Sequence, residues 1–463
     1  MKKIWVIIAV LYTLALLGCV APANDSMLLP TPKVATKQFS KILGSSEATD
    51  LSDLQNQLAV SDTPLTLERA IRAALLFNPN IRAAYLGVKE SASHIVQEGL
   101  LPNPELELEG EELWPSGDEG PTGSAGFSLA ITQPIELGGK RGKRVAVARF
   151  RGVLTGWDFE KARLDLIQQT TDAFNDLLVA QKKVALRTEL LSFGQSALAA
   201  VRLQVQNGKA LPLNAEKSFV EVQSNQLALS RADDEVRIAK EHLGALLGVS
   251  GEKIGDIEGD LEKDIIGAPS RVNLERLMMQ DPALARWRDE LALKNAEIRL
   301  EKAEGVPDLE LTVSRQKSNA TDEYSWGLGL SLPLPLFNRN QGAVTRERYA
   351  LSRLHFEQKA SLLEARAEIS EVHKVLVQAF SEITNMKDSV VPTARKVYSM
   401  ALSAYKLRKI PYIEMLDAKK TLVETQEQYI DLLYTYHKAK TAVERRIGQE
   451  LETLIQENEN ETE

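Results

Sequence analysis

Two groups of residues in this 463-residue chain have the types and spacing to do chemistry, and a third has the types without the spacing. Glu414 and Asp417 stand three apart just after Pro411. Proline favours the first turn of a helix, so both acids fall on one face of that helix's first turns. Tyr405, Arg408 and Lys409 precede them within the same stretch, Ala404 to Ala418. Acids so placed have two readings. They are ordinary first-turn residues favoured by the helix dipole, or, repeated around an axis, they form a ring that attracts cations and repels anions. The second group is one residue, Cys19, the only cysteine, which excludes an intramolecular disulfide and a cysteine metal cluster. The third is five histidines, His94, His242, His355, His373 and His437. They are scattered without ligand spacing and read as surface or seam residues, not metal ligands. No Gly-x-Ser-x-Gly, His-Glu-x-x-His or nucleotide fingerprint occurs, so neither an enzyme nor a cofactor is expected.

Cys19 closes a leader. Lys2 and Lys3 precede an apolar run from Ile4 to Leu17 that is too short to span a bilayer comfortably. The run ends Leu16-Leu17-Gly18-Cys19, which resembles a bacterial lipobox. That resemblance implies cleavage before Cys19 and a lipid on its sulfur; the alternative is an ordinary secretory signal with an incidental cysteine. Residues 20–62, rich in Ser, Thr, Pro and Asp, read as a tether or outer wrap.

The chain is 44% hydrophobic, too much for disorder and too little for a protein with many membrane-spanning helices. A net charge of −8 with no basic excess on any face argues against a nucleic-acid partner. Abundant Ala, Leu, Glu and Arg predict long helices.

The elements that position the acids come in duplicate. Shifting Ala404–Ala418 back by two hundred positions lands on Gly208-Lys209-Ala210-Leu211-Pro212-Leu213-Asn214, and the phase holds to Gly248 and Gly448. Earlier landmarks repeat too: Leu67-Glu68-Arg69 answers Leu274-Glu275-Arg276, and Asn78-Pro79 answers Asp281-Pro282. The expected plan is a leader at 1–18, a tether at 19–62, a first repeat at 63–255, a linker at 256–271, a second repeat at 272–450 and a disordered tail at 451–463.

Each repeat carries two strand patterns, within about 104–134 and 308–334. Leu106 and Leu108, then Phe127, Leu129 and Ile131, alternate with polar residues in the first. Leu309, Leu311 and Val313, then Trp326, Leu328 and Leu330, do so in the second. Period-two amphipathicity over about nine residues suits tilted strands that cross a bilayer. A soluble hairpin on a helix layer would show the same alternation, but two isolated hairpins are marginal in water. Four strands cannot close a barrel, and an open edge in lipid leaves unpaired backbone groups. Several copies must therefore share one barrel: about eight strands from two copies would be filled, whereas about twelve from three leave a channel.

A Gly-rich basic corner follows each strand pair, at Gly138–Arg144 and Phe337–Gly342. It is either an anion site or a tight strand-to-helix turn; neither corner has the P-loop pattern, and the turn is preferred. Two long helices follow, roughly 142–206 and 342–408, interrupted only by Pro392. Ile369, Val372, Leu376, Ala379, Ile383, Met386 and Val390 step by three and four, as in a coiled-coil seam. Return helices run to 248 and 448, with seams Val222 to Leu243 and Leu422 to Val443.

With these parts placed, residues 65–450 resemble the TolC family of outer-membrane efflux proteins. The resemblance implies a mixed α/β membrane duct, internally duplicated and homotrimeric. Four strands per chain would build a shared transmembrane β-barrel, and long antiparallel coiled coils a periplasmic α-barrel. It also implies a cell outer membrane location with a lipid anchor, a periplasmic adaptor and an inner-membrane pump of the resistance-nodulation-division type. The corners Gln133–Arg141 and Leu332–Gly342 look most like the CzcC-type branch associated with heavy-metal cation efflux. Drug efflux, secretion, or an adaptor lipoprotein outside the membrane are the alternatives. The family's tip motif, Gly-Tyr-x-x-Gly-x-Arg-x-x-x-Asp-x-Leu-Asp-Ala, maps a gate tyrosine and two ring acids onto Tyr405, Glu414 and Asp417. Arg408 stands where the second Gly falls and Ile410 where the gate Arg falls, leaving Arg408 or Lys409 as possible substitutes.

Overall fold

The computed structural model describes residues 64–111, 126–263, 265–318, 323–407 and 409–451. Cys19, the tether and Arg408 lie outside them. The chain divides into two compact units, each drawing on both sequence repeats. Of the described residues, one unit holds Tyr85–Asp158 and Ala285–Ala360, and the other holds the rest.

The first unit is built on one antiparallel sheet in the order β1 (Glu105–Glu111), β2 (Gly126–Ile135), β3 (Leu309–Ser318), β4 (Glu323–Ser331). The sequence predicts a strand pair in each repeat and leaves the pairing between the repeats unspecified; β2 pairs with β3 along its whole length and joins them. The register aligns side chains of one kind. Leu106, Ile131, Val313 and Leu328 form one row across all four strands, and Leu108 and Leu129 lead another. These residues are uncovered: Leu108 is 77% exposed and Leu328 78%. The opposite face carries Glu105, Glu107, Glu109, Ser128, Thr132, Glu310, Thr312 and Ser314, with Thr132 and Thr312 sharing a hydroxyl hydrogen bond of 2.9 Å. Among the described residues, β1 and β4 each have one strand neighbour, so both sheet edges are open.

The corners are turns. Gly138 and Gly139 adopt φ of 67° and 66°, which only glycine takes without penalty, and a Cβ on Gly138 would stand 3.1 Å from Val306 Cβ. The basic residues there serve the fold. Lys140, buried, binds Asp308 at 2.7 Å, and Arg144 grips Glu136 and Glu98. At the second corner Asn340 takes φ 58° and its amide donates to Glu301 O at 2.8 Å. Trp157 Nε1 donates to Asp289 Oδ2 at 2.8 Å, fixing the start of α3 (Lys140–Gln206) to α7 (Trp287–Glu304).

The second unit opens with α1 (Leu67–Phe77), capped by Thr66, and the start of α2 (Pro79–Glu98). It also contains most of α3, then α4 (Pro212–Leu247), α5 (Arg271–Leu277), α6 (Pro282–Ala285), most of α8 (Gln341–Asn385), α9 (Val391–Lys406) and α10 (Tyr412–Ile447). At about 1.5 Å per residue, α3 with its 67 residues runs on the order of 100 Å. The return helices α4 and α10 both span 36 residues, offset by two hundred, and both end at a left-handed glycine, Gly248 and Gly448. Phe174, Leu178, Val222, Leu243, Leu422, Tyr436 and Val443 are buried as their seam positions require.

The second long helix is not one α-helix. Met386–Val390 is a π-turn between α8 and α9, directly before Pro392. Proline lacks the N–H and its ring collides with the carbonyl four residues back, so the ladder widens there. The seam accordingly ends at Ile383, and Val390 is exposed. Beyond it, α9 has no buried residue.

Loop 256–271 packs on the hairpins. Leu65 bridges Ile257 in parallel fashion, Tyr436 OH donates to Ile266 O at 2.8 Å, and His437 meets Leu261 O at 2.8 Å. Leu451, placed with the tail by sequence, is buried, and its N–H donates to Glu444 Oε1 at 3.1 Å.

Candidate functional site at the hairpin tip

The two tips, faint twins in sequence, share a backbone turn. Lys209 N donates to Gln204 O at 2.8 Å, and Lys409 N donates to Ala404 O at 2.9 Å. Pro212 occupies the first helical position of α4, whereas Pro411 caps α10 from just outside, with φ −69° and ψ 156°. Helix α10 therefore begins at Tyr412, and Glu414 lies in its first turn.

Glu414 and Asp417 are exposed on this turn, clear of the packed seam formed by Met415, Leu416 and Lys419. Tyr405 is half-buried. Its hydroxyl accepts from Gln204 Nε2 at 3.4 Å, and its ring meets Tyr412 edge-on at 5.7 Å. One tyrosine thus ties the end of α9 to the end of α3 and the start of α10. Burial, reinforced by neighbouring Tyr405 and Glu221, pushes the Tyr412 phenol well above its ordinary range. Lys409 is exposed, and Ile410 is half-buried.

Lys419, which sequence reasoning passed over, closes the packing one turn further on. It is 4% exposed and pairs with Glu189 of α3. Its ammonium lies 5.0 Å from the Tyr398 ring and 5.9 Å from the Phe193 ring, and those rings meet edge-on at 6.1 Å. The signal was present: Met415, Lys419 and Leu422 occupy one three-four stripe, and Lys419 is the polar member. Two further pairs tie α10 to α3, Arg187 with Glu427 at 2.6 Å and Lys183 with Asp431 at 2.8 Å.

Among the described residues no three His, Cys, Asp or Glu side chains gather as a metal site. His373 and His437 each meet a backbone carbonyl, of Pro269 and Leu261.

A four-stranded sheet with an uncovered apolar face, duplicated long helical hairpins and a tyrosine-bound tip define a membrane duct subunit. The chain belongs to the outer membrane efflux protein family, whose model matches residues 70–249 and 273–449. The chain is 27% identical to the cobalt-zinc-cadmium resistance protein CzcC of Cupriavidus metallidurans, over 83% of this chain and 90% of that one. It is 24% identical to the pyoverdine export outer membrane protein OpmQ of Pseudomonas putida, over 94% and 95%. The CmeC outer membrane channel of Campylobacter jejuni shares the fold with a TM-score of 0.69, at 16% identity, covering 95% of this chain and 96% of that one. The protein is thus an outer-membrane efflux protein with a mixed α/β duct fold.

Proposed function

We propose that three copies of this chain form one passive exit duct that conducts heavy-metal cations across the outer membrane. The open β1 and β4 edges, flanking an apolar face, carry this reading. Joining β4 of one copy to β1 of the next satisfies both edges, and three copies give about twelve strands. Metal cargo rests on the likeness to CzcC, the likeness to OpmQ favouring pyoverdine export as the second reading. A separate inner-membrane pump and a periplasmic adaptor supply energy and docking, and the chain itself catalyses nothing. A lipid on Cys19 anchors it.

Tyr405, Glu414 and Asp417 form the periplasmic gate. Exposed Glu414 and Asp417, tripled about the duct axis, make an acidic aperture that admits cations. Arg408 and Lys409 supply the positive counterpart where Ile410 cannot.

Conductance in planar bilayers tests the gate. Glu414→Ala with Asp417→Ala should lower cation selectivity and relieve block by divalent cations; unchanged selectivity and block would remove the acids from the role. Full solubility without detergent would sink the duct itself.

A further inference from the structure

The membrane face of the sheet carries an unusual charge pattern. Along β1 to β4, most described residues on this face are apolar, among them Leu106, Leu108, Phe127, Leu129, Ile131, Val313 and Leu328; Gln133 is polar, and Arg315 and Lys317 are the two charged residues there. Every described strand carboxylate, Glu105, Glu107, Glu109, Glu310 and Glu323, alternates onto the opposite face. The two cations are successive on this face of β3, two residues apart, and lie at its loop end, away from the corner at Asp308 and Leu309. They face aromatic rings on β4. Arg315 lies 4.1 Å from the Tyr324 ring and 5.7 Å from Trp326, and Lys317 lies 5.7 Å from Tyr324. The register sets Arg315 opposite Trp326 and Lys317 opposite Tyr324, with Leu129 and Phe127 on the other side.

A cation on the lipid face is costly at mid-membrane and nearly free of penalty at the interface. Arg315 and Lys317 therefore mark an interface, as their aromatic neighbours do. The Tyr324 ring lies within cation–π reach of the Arg315 guanidinium, a group whose several N–H donors suit phosphate oxygens. With an apolar strip beneath for acyl chains and no acid on the same face among the described strand residues, this surface is complementary to an anionic lipid.

We propose that Arg315 and Lys317, backed by Tyr324 and Trp326, form a binding site for the phosphate of a glycolipid in the outer leaflet. This rests on the reading of the sheet as part of a membrane barrel. Each chain then brings one site. The bound lipids seat the barrel at a fixed depth.

The test uses the full-length protein in nanodiscs, with native mass spectrometry of retained lipid. The probes are bisphosphorylated lipid A, the same lipid after dephosphorylation, and phosphatidylglycerol. Wild type should retain bisphosphorylated lipid A over the other two. Arg315→Gln with Lys317→Gln should weaken that retention about thirtyfold, at roughly one kcal/mol per cation. Arg315→Lys with Lys317→Arg should keep it within about twofold, because the charges remain. Equal retention of the dephosphorylated lipid, or no loss in the Gln variant, would overturn the site; equal retention of phosphatidylglycerol would overturn the glycolipid. Planar-bilayer conductance separates the two levels: a conducting protein without lipid preference refutes this site alone, and a protein that never inserts refutes the barrel with it.

Discussion

Lys419 is held against Glu189 with its stem and ammonium inside the packing while the carboxylate remains 59% exposed. The asymmetry matters. Water screens the ion pair from the Glu189 side, so much of the holding falls to the rings of Tyr398 and Phe193. Three helices, α3, α9 and α10, meet on this one side chain.

Lys419→Ala is accordingly expected to destabilise the protein by about 2–3 kcal/mol, through lost cation–π contact and lost stem packing. Lys419→Met keeps the stem and should cost about half as much. Denaturant unfolding in detergent measures both. Hydrogen exchange should rise in α9, which has no buried residue of its own, before it rises in α3.

Asp281 is 1% exposed and accepts from Arg445 at 3.0 Å and Arg446 at 2.9 Å. Its counterpart in the first repeat, Asn78, donates instead to the Leu246 carbonyl at 3.0 Å. Asp281→Ala removes the acceptor shared by two arginines, which keep Asp165 and Glu368 as partners, and should cost about 2–3 kcal/mol. Asp281→Asn retains an acceptor oxygen and should cost about 1–2 kcal/mol. A thermal unfolding series checks the order.

Asp172 accepts from Thr441 Oγ1 at 2.7 Å, yet burial raises its carboxyl above the ordinary value, with the Thr441 bond opposing. A raised carboxyl is penalised when ionised, so this residue adds stability at acid pH and loses it as pH climbs through its folded pKa. Asp172→Asn keeps an acceptor for Thr441 and removes the charge. The variant should exceed wild type in melting temperature at pH 7, and the difference should shrink as pH falls toward 4. A constant difference across that range would rule out ionisation as its source.

Gly138 combines φ 67° with a close neighbour in Val306. Gly138→Ala should cost about 1–2 kcal/mol from the left-handed backbone alone, before the contact is counted. Gly142, which has open space at its Cβ position, should tolerate alanine with little change. Parallel melting curves of the two variants make the comparison.

The elements with a strong local period were legible in the sequence. Helices α4 and α10 and their terminal glycines follow from phase and from the two-hundred-residue offset, since seam spacing and a left-handed cap are local properties. The pairing of β2 with β3 was not, because Ile131 and Val313 are far apart in sequence and either hairpin alone satisfies its own alternation. The π-turn escaped because Pro392 signals a disturbance without saying whether the helix ends, kinks or widens. At the tip, Tyr405 and the acids could be named from motif and spacing. Gln204 and Lys419 could not be joined to them, since their partners come from a different helix.

The open edges of β1 and β4 bear on kinetics. A lone chain cannot enter the hydrocarbon layer without carrying two unpaired strand backbones into it. Entry and association must then be one event, and the rate of appearance of membrane-inserted protein should rise more steeply than linearly with chain concentration. The helical portions carry no open strand edge and can fold copy by copy, leaving the sheet as the last part to commit.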